Sequence, residues 1–245
     1  MNNIQNTDLR ERVDVFLDNL IENFYQNVPF ARHQLDDANI NMNYYKRHNI
    51  ETIVRLRMKR VIDGLTIHYF TKYDRLLAKQ WCQYTEDEML HDKIFAKDLI
   101  AVGVSQEQID STEPLFATKL LQGYFYYGLE HENRPLASLA SSYFIEYTTQ
   151  KTQPIWLDNL EKVLGEQKIK GQRTHVNHDL EDHHINFVWN VLKTFLQTPE
   201  DEKALFQHLS NIGKLFVMYF QELYEVTVLQ EAQDAEKESQ NLVGV

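Results

Sequence analysis

Residues 174–184 read T-H-V-N-H-D-L-E-D-H-H, placing four of the chain's ten histidines and three carboxylates in eleven positions. On a helix turning about 100° per residue, His175, Asp179 and His183 project from one side, with Asp182 beside them. A core helix would normally show leucine there. Imidazole and carboxylate at this spacing are what a non-haem iron or manganese ion takes from a helix, because these metals accept mixed nitrogen and oxygen ligands and keep positions open. The other reading is a hydrated helix end rich in histidine. Partners elsewhere in the chain must decide between the two.

Two further segments carry the same residue types. In E-D-E-M-L-H, Glu88 and His91 are three apart, so carboxylate and imidazole share a helical face and could hold one ion together. The pattern is short and also arises by chance. In S-S-Y-F-I-E-Y, Glu146 stands among Tyr143, Phe144, Ile145 and Tyr147. A carboxylate in that company either points to water or is paired inside, since an unpaired buried charge costs several kcal/mol. A Glu-x-x-His, a central Glu and a His/Asp-rich face on separate helices together point to a di-metal carboxylate site. His33, His48, His68, His131 and His208 have no partner at ligand spacing and read as surface or satisfied core histidines.

The elements that must position these residues are helices. In 245 residues there are only eight glycines and five prolines, and apolar residues recur at helical rather than alternating spacing. The chain is expected to be all-α: a single-domain compact bundle of seven to nine helices over residues 1–230, with 231–245 a frayed polar tail. Asp8 or Thr7 caps a first helix that ends before Pro29. Residues 44–80 follow, with Gly64 a bend or break. Residues 85–102 form a helix opened by a Thr85/Glu88 capping box and stopped by Gly103. Ser105 and Gln108 open a short helix, Pro114 heads residues 115–129, and Pro135 and Pro154 each start another. The histidine-rich helix begins near Gln172, and Thr198-Pro199 begins the last long one.

Composition excludes several classes. A formal charge of −11 without a basic face argues against nucleic-acid binding. No apolar run reaches the length of a membrane span, and the polar start M-N-N-I-Q-N-T lacks the hydrophobic region of a signal peptide. The expectation is a cytoplasmic protein acting on a small-molecule substrate, with no nucleic-acid or membrane partner and a homodimer left open. Cys82, the single cysteine, excludes an internal disulfide and a cysteine metal site, and reads as a small buried apolar residue.

A ferritin-like bundle would take Glu88/His91, Glu146 and Glu181/His184, but needs one more glutamate before Glu88, where Glu51 and Asp63 are not well placed. The order Glu-x-x-His, lone Glu, then His-x3-Asp with a further His more closely resembles the haem-oxygenase-like diiron oxidases. The nearest branch is that of the Chlamydia protein associating with death domains and its bacterial relatives. The resemblance runs from about residue 44 to 224 and includes the 55-residue gap from His91 to Glu146. It implies a haem-oxygenase-like (TenA/PqqC-like) fold with Glu88, His91, Glu146, His175, Asp179 and His183 as ligands to two Fe ions, with Mn allowed in one position. Asp182 competes with His183 for the last place, and His178 and His184 are spares. It also implies O₂ as co-substrate, oxidising a bound molecule or a protein side chain, as in p-aminobenzoate or folate-type cofactor biosynthesis. Tyr147 and Lys151, four apart and next to Glu146, are then candidates for a tyrosine–lysine reaction. Tyr124, Phe125, Tyr126, Tyr127, Tyr143 and Tyr147 could line the shielded cavity such chemistry needs, although ordinary aromatic core is the simpler reading. Metal-free enzymes of the same fold and a non-enzymatic partner-binding module are the alternatives.

Overall fold

The computed structural model describes residues 8–181 and 184–243, and among them the regular elements are helices. They are α1 (Leu9–Asn27), α2 (Met42–Tyr73), α3 (Arg75–Glu88), α4 (His91–Ala101), α5 (Gln106–Ser111), α6 (Phe116–His131), α7 (Leu136–Leu164), α8 (Lys170–Glu181), α9 (His184–Leu192), α10 (Pro199–Tyr224) and α11 (Gln230–Val243). The main core gathers Val13 and Leu17 of α1, Phe70 of α2, Trp81 of α3, Leu139 and Tyr143 of α7, Val188 and Leu192 of α9, and Leu209 and Ile212 of α10.

The helix α2 is the axis of the arrangement, packing against α3, α4, α6, α7 and α10. Its buried side is partly polar and its exposed side partly apolar, with Val61 and Tyr73 facing solvent, which is why it lacks the one-sided apolar stripe of a surface helix. Its buried residues include Asn49, Glu51, Asp63 and Thr66 beside Ile50, Ile53 and Phe70. Glu51 is structural. It pairs with Arg47 at 2.8 Å, accepts the Leu115 N–H at 3.2 Å and the Thr118 hydroxyl at 2.7 Å, and so fixes the start of α6 on α2.

Several expected boundaries move. Gly64 does not break α2, which continues to Tyr73; the break falls at Asp74, whose carboxylate caps α3 by accepting the Leu76 and Leu77 N–H groups. Thr85 is therefore inside α3, its hydroxyl bonded back to the Trp81 carbonyl at 2.7 Å, and does not open a helix. Pro154 lies within a continuous α7. The apolar residues after it, Trp156, Leu157 and Leu160, are buried with Tyr45, Ile169 and Val176, and this packing outweighs the lost hydrogen bond. Cys82 is exposed on α3, contrary to its expected burial. The polar C-terminal segment, expected as a tail, continues as α11 after a π-helical turn at Glu225–Leu229. The Ser105/Gln108 capping box, the helix start at Thr198-Pro199 and the Gly103 stop, at φ 87°, stand where the sequence placed them, and Thr198 proves to form a capping box with Asp201.

Candidate metal centre

Glu88 is the last residue of α3 and His91 the first of α4, so the pair meets across a turn rather than along one helix. That turn is held by α2. Arg60 donates to the Met89 carbonyl at 2.8 Å, and Arg57 and Arg60 both reach the buried Asp92 carboxylate at 3.2 Å. Asp98, further along α4, accepts the Gly171 and Gln172 N–H groups at 2.9 and 2.8 Å. A carboxylate on these free donors suits the positive end of α8. A Cβ on Gly171 would lie 2.6 Å from the Ile94 carbonyl oxygen, so glycine is what lets α8 approach α4 this closely. Running antiparallel from this lock, the two helices bring the His91 and His175 rings to 4.1 Å.

Glu146 comes from the middle of α7 and is buried; the Tyr84 hydroxyl of α3 donates to its Oε1 at 2.9 Å. His184 begins α9, buried, with Nδ1 3.7 Å from Glu88 Oε1. Glu88 Oε2 lies 3.1 Å from His91 Nδ1. Glu88, Glu146 and His184 can thus each offer one ligand atom within 4.8 Å of the others, all three side chains being buried. Of the six residues the sequence singled out, Glu88, His91, Glu146 and His175 come together. Asp179 lies on α8, but its side chain, like Asp182 and His183, is outside the described residues. His184, taken as a spare, joins the centre. The signal that could have found it is its register, one turn before Val188 at the head of the buried face of α9.

The electrostatics favour a cation. Burial works to raise the Glu88 pKa, but the hydrogen bond with His91 and the charges of Lys59, His91 and His175 outweigh it and hold it down to about 2. Burial likewise opposes the charge of Lys59, yet Asp63, Glu88 and Glu146 raise its pKa above the ordinary lysine value. The Lys59 ammonium sits 2.6 Å from Asp63 and 4.7 Å from the centre of the Tyr84 ring. One lysine is thus shared among three buried carboxylates. Two carboxylates and an imidazole converging in such a setting form a donor set that fits a divalent transition metal, iron among them.

Beside the centre lies a cavity of about 600 Å³, bordered by Asp63, Lys59 and His175. Of the aromatics expected to line it, Phe125 does. Tyr126 and Tyr127 are exposed, and Tyr124 bonds to His208 at 2.7 Å. Tyr143 and Tyr147 donate to Asp14 and Asp18 of α1. Lys151 is 3.4 Å from the same Asp18, with its ammonium 5.1 Å from the Tyr147 ring centre.

Helices of this order around a buried Glu/Glu/His cluster define an all-α protein with a haem-oxygenase-like fold. The fold is shared with a domain of unknown function from Shewanella denitrificans described as heme oxygenase-like (TM-score 0.78, 19% identity, 89% of this chain and 93% of that one). It is shared too with a TenA homologue from Pseudomonas syringae pv. tomato (TM-score 0.70, 12% identity, 90% and 98% covered). A TenA homologue from P. horikoshii is similar as well (TM-score 0.66, 13% identity, 89% and 99% covered). No curated protein matches the chain. Residues 53–211 match the family of iron-containing redox enzymes, and the chain belongs to that family. No helix among the described residues is long and apolar enough to cross a membrane.

Proposed function

We propose that the protein is an iron-dependent oxidase that uses O₂, with two irons held among Glu88, His91, Glu146, His175 and His184 and by Asp179 and His183 from the neighbouring segment. The observation that carries this is the convergence of Glu88, Glu146 and His184 within 4.8 Å, beside a cavity large enough for a small molecule. When bound, iron supplies the electrons that reduce O₂. The chain's own residues then have separable tasks. The Tyr84 hydroxyl orients Glu146, the His91 hydrogen bond orients Glu88, and Lys59 balances whichever carboxylates a metal leaves uncovered.

The oxidised group is a molecule in the cavity or a side chain of the protein. For the second case two tyrosine–lysine pairs are present. Tyr147 and Lys151 are both tied to Asp18 of α1, whereas Tyr84 donates directly to Glu146 and carries the Lys59 ammonium over its ring. The contact with Glu146 favours Tyr84.

Anaerobic loading with Fe(II), followed by metal analysis and O₂ uptake, tests the proposal. The expected result is about two irons per chain with oxygen consumption, both lost in Glu146→Ala and His184→Ala. Peptide mapping after turnover then reads whether Tyr84, Tyr147 or neither has changed mass. Binding no greater than background in the wild type would discard the iron reading in favour of a metal-free enzyme.

A further inference from the structure

The polar face of α2 continues past the metal centre. His48, Thr52, Arg55, Lys59 and Asp63 follow one another at helical spacing, and all five border the cavity. Lys59 and Asp63 are committed to each other, as Glu51 is to Arg47. Arg55 is different. Its guanidinium donates to the Thr52 hydroxyl at 2.9 Å and lies 4.3 Å from the centre of the Tyr219 ring, but its Nη1 is buried without a hydrogen-bond partner, and among the described residues it has no ion pair. Guanidinium stays charged in proteins, so this is a permanent cation at an internal wall with donors to spare. His48 adds no charge, since burial and the positive charge of Arg55 lower its pKa to about 3.

Two more polar atoms on the same walls are buried without a partner, Gln122 Oε1 and Ser138 Oγ. Helices α2 and α6 run in the same direction: Arg47 meets the Glu113 carbonyl, and Glu51, a turn later, meets Leu115 and Thr118. Arg55 is one turn beyond Glu51 and Gln122 one turn beyond Thr118, which sets the two level. The rest of the wall is largely apolar, with Phe125, Phe144 and Phe216 prominent, and exposed Asn23, Ile145 and Lys214 mark its mouth between α1, α7 and α10.

We propose that this cavity takes a substrate with a single carboxylate on an apolar body, the carboxylate held by Arg55 and the body directed toward the Glu88–Glu146–His184 cluster. One cation with a free edge matches one carboxylate, whose two oxygens fit the guanidinium fork. A dianionic phosphate would need a second positive group, and Lys59 is already paired. Gln122 Oε1 accepts a donor from the substrate or from water beside the carboxylate. Arg55 lies about 6 Å along α2 from Lys59 and about 12 Å from Asp63, so the end reaching the metal is several bonds from the carboxylate. The proposal names the substrate class of the oxidase reading and rests on it for the chemistry, but the binding step needs no metal.

The test uses metal-free full-length protein and calorimetric titration with phenylalkanoates, phenylacetate to 8-phenyloctanoate, each beside its neutral amide. At least one acid is expected to bind about 10- to 100-fold more tightly than its amide, as loss of a charge-assisted hydrogen bond implies. In Arg55→Gln that preference collapses to about one, in Arg55→Lys it is partly kept, and in Lys214→Gln at the mouth it is unchanged. No binding of any acid, equal binding of acid and amide by the wild type, or a preference surviving in folded Arg55→Gln overturns the proposal. If Arg55→Gln does not fold, the wild-type acid–amide comparison with Arg55→Lys still decides. Carboxylate binding without iron uptake would leave the pocket standing while removing the oxidase, so the two failures are told apart.

Discussion

His33 shows how one buried imidazole ties stability to pH. It stacks on Phe30 with ring centres 4.2 Å apart and lies edge-on to Tyr44 and Trp156 at 4.5 and 5.2 Å. Burial in this aromatic box lowers its pKa to about 4, although the hydrogen bond to the Phe30 carbonyl works the other way. Because the folded value lies below the unfolded one, the unfolded chain binds the extra proton between about pH 6.5 and pH 4. Stability is therefore full above about 6.5 and declines as pH falls to about 4, by roughly 3 kcal/mol at most for this group. His48 pulls in the same direction. Urea unfolding at pH 7, 5.5 and 4.5 should show the decline, and His33→Phe should flatten it without abolishing it, since His48 still takes up its proton only on unfolding. An unchanged slope would remove His33 from the account. At this scale the sequence was informative where residue type was costly to explain otherwise: Glu146 among aromatics, and Glu88 with His91. It was uninformative about His33 and Arg55, because a lone histidine or arginine carries no sign of being enclosed.

Among the elements, two glycines that look alike in sequence have opposite roles. Gly64 lies inside α2, and a Cβ there would meet nothing within 4 Å, so the residue only costs helix stability. Gly64→Ala should stabilise by about 0.5–1 kcal/mol, read as a higher urea midpoint with unchanged slope. At Gly171 the added Cβ would press on the Ile94 backbone at 2.6 Å and on Asp98 at 2.9 Å. Gly171→Ala should cost about 1–3 kcal/mol and, by pushing α8 from α4, separate His175 from His91 and weaken iron uptake. If Gly171→Ala binds iron like the wild type, the lock does not position that pair. The caps at Asp8, Ser105 and Thr198 were legible because capping is a local bargain between neighbouring residues. The continuity of α2 and α7 through Gly64 and Pro154 was not, since packing against distant helices decided it. For the same reason α2 carries no clean apolar stripe: its inner face holds Asn49, Glu51, Asp63 and Thr66, while Val61 and Tyr73 stand exposed.

For the whole molecule, the question is how a fold tolerates three buried carboxylates around one lysine and still leaves a place for metal. Asp63, Glu88 and Glu146 all act on Lys59, and burial raises the Asp63 pKa against the pull of that lysine. The metal-free protein is thus held by Lys59, while a bound dication would relieve the remaining repulsion and stabilise by mass action. At free Fe(II) about a hundred times its Kd, the gain is about 2.7 kcal/mol, roughly 5–10 °C in Tm for a chain of this size. Anaerobic calorimetry should show that shift in the wild type and not in Glu146→Gln, which keeps a hydrogen-bonding side chain but gives up the ligand charge. Lys59→Gln separates the two contributions. It should lower the metal-free Tm, because an uncompensated buried charge costs about 3–5 kcal/mol, yet retain or enlarge the upward shift on iron loading. A Lys59→Gln protein whose metal-free stability equals that of the wild type would mean that the carboxylates are neutralised by protonation instead. The iron site would then form only as those protons are released, and its affinity would rise with pH through the carboxylate range.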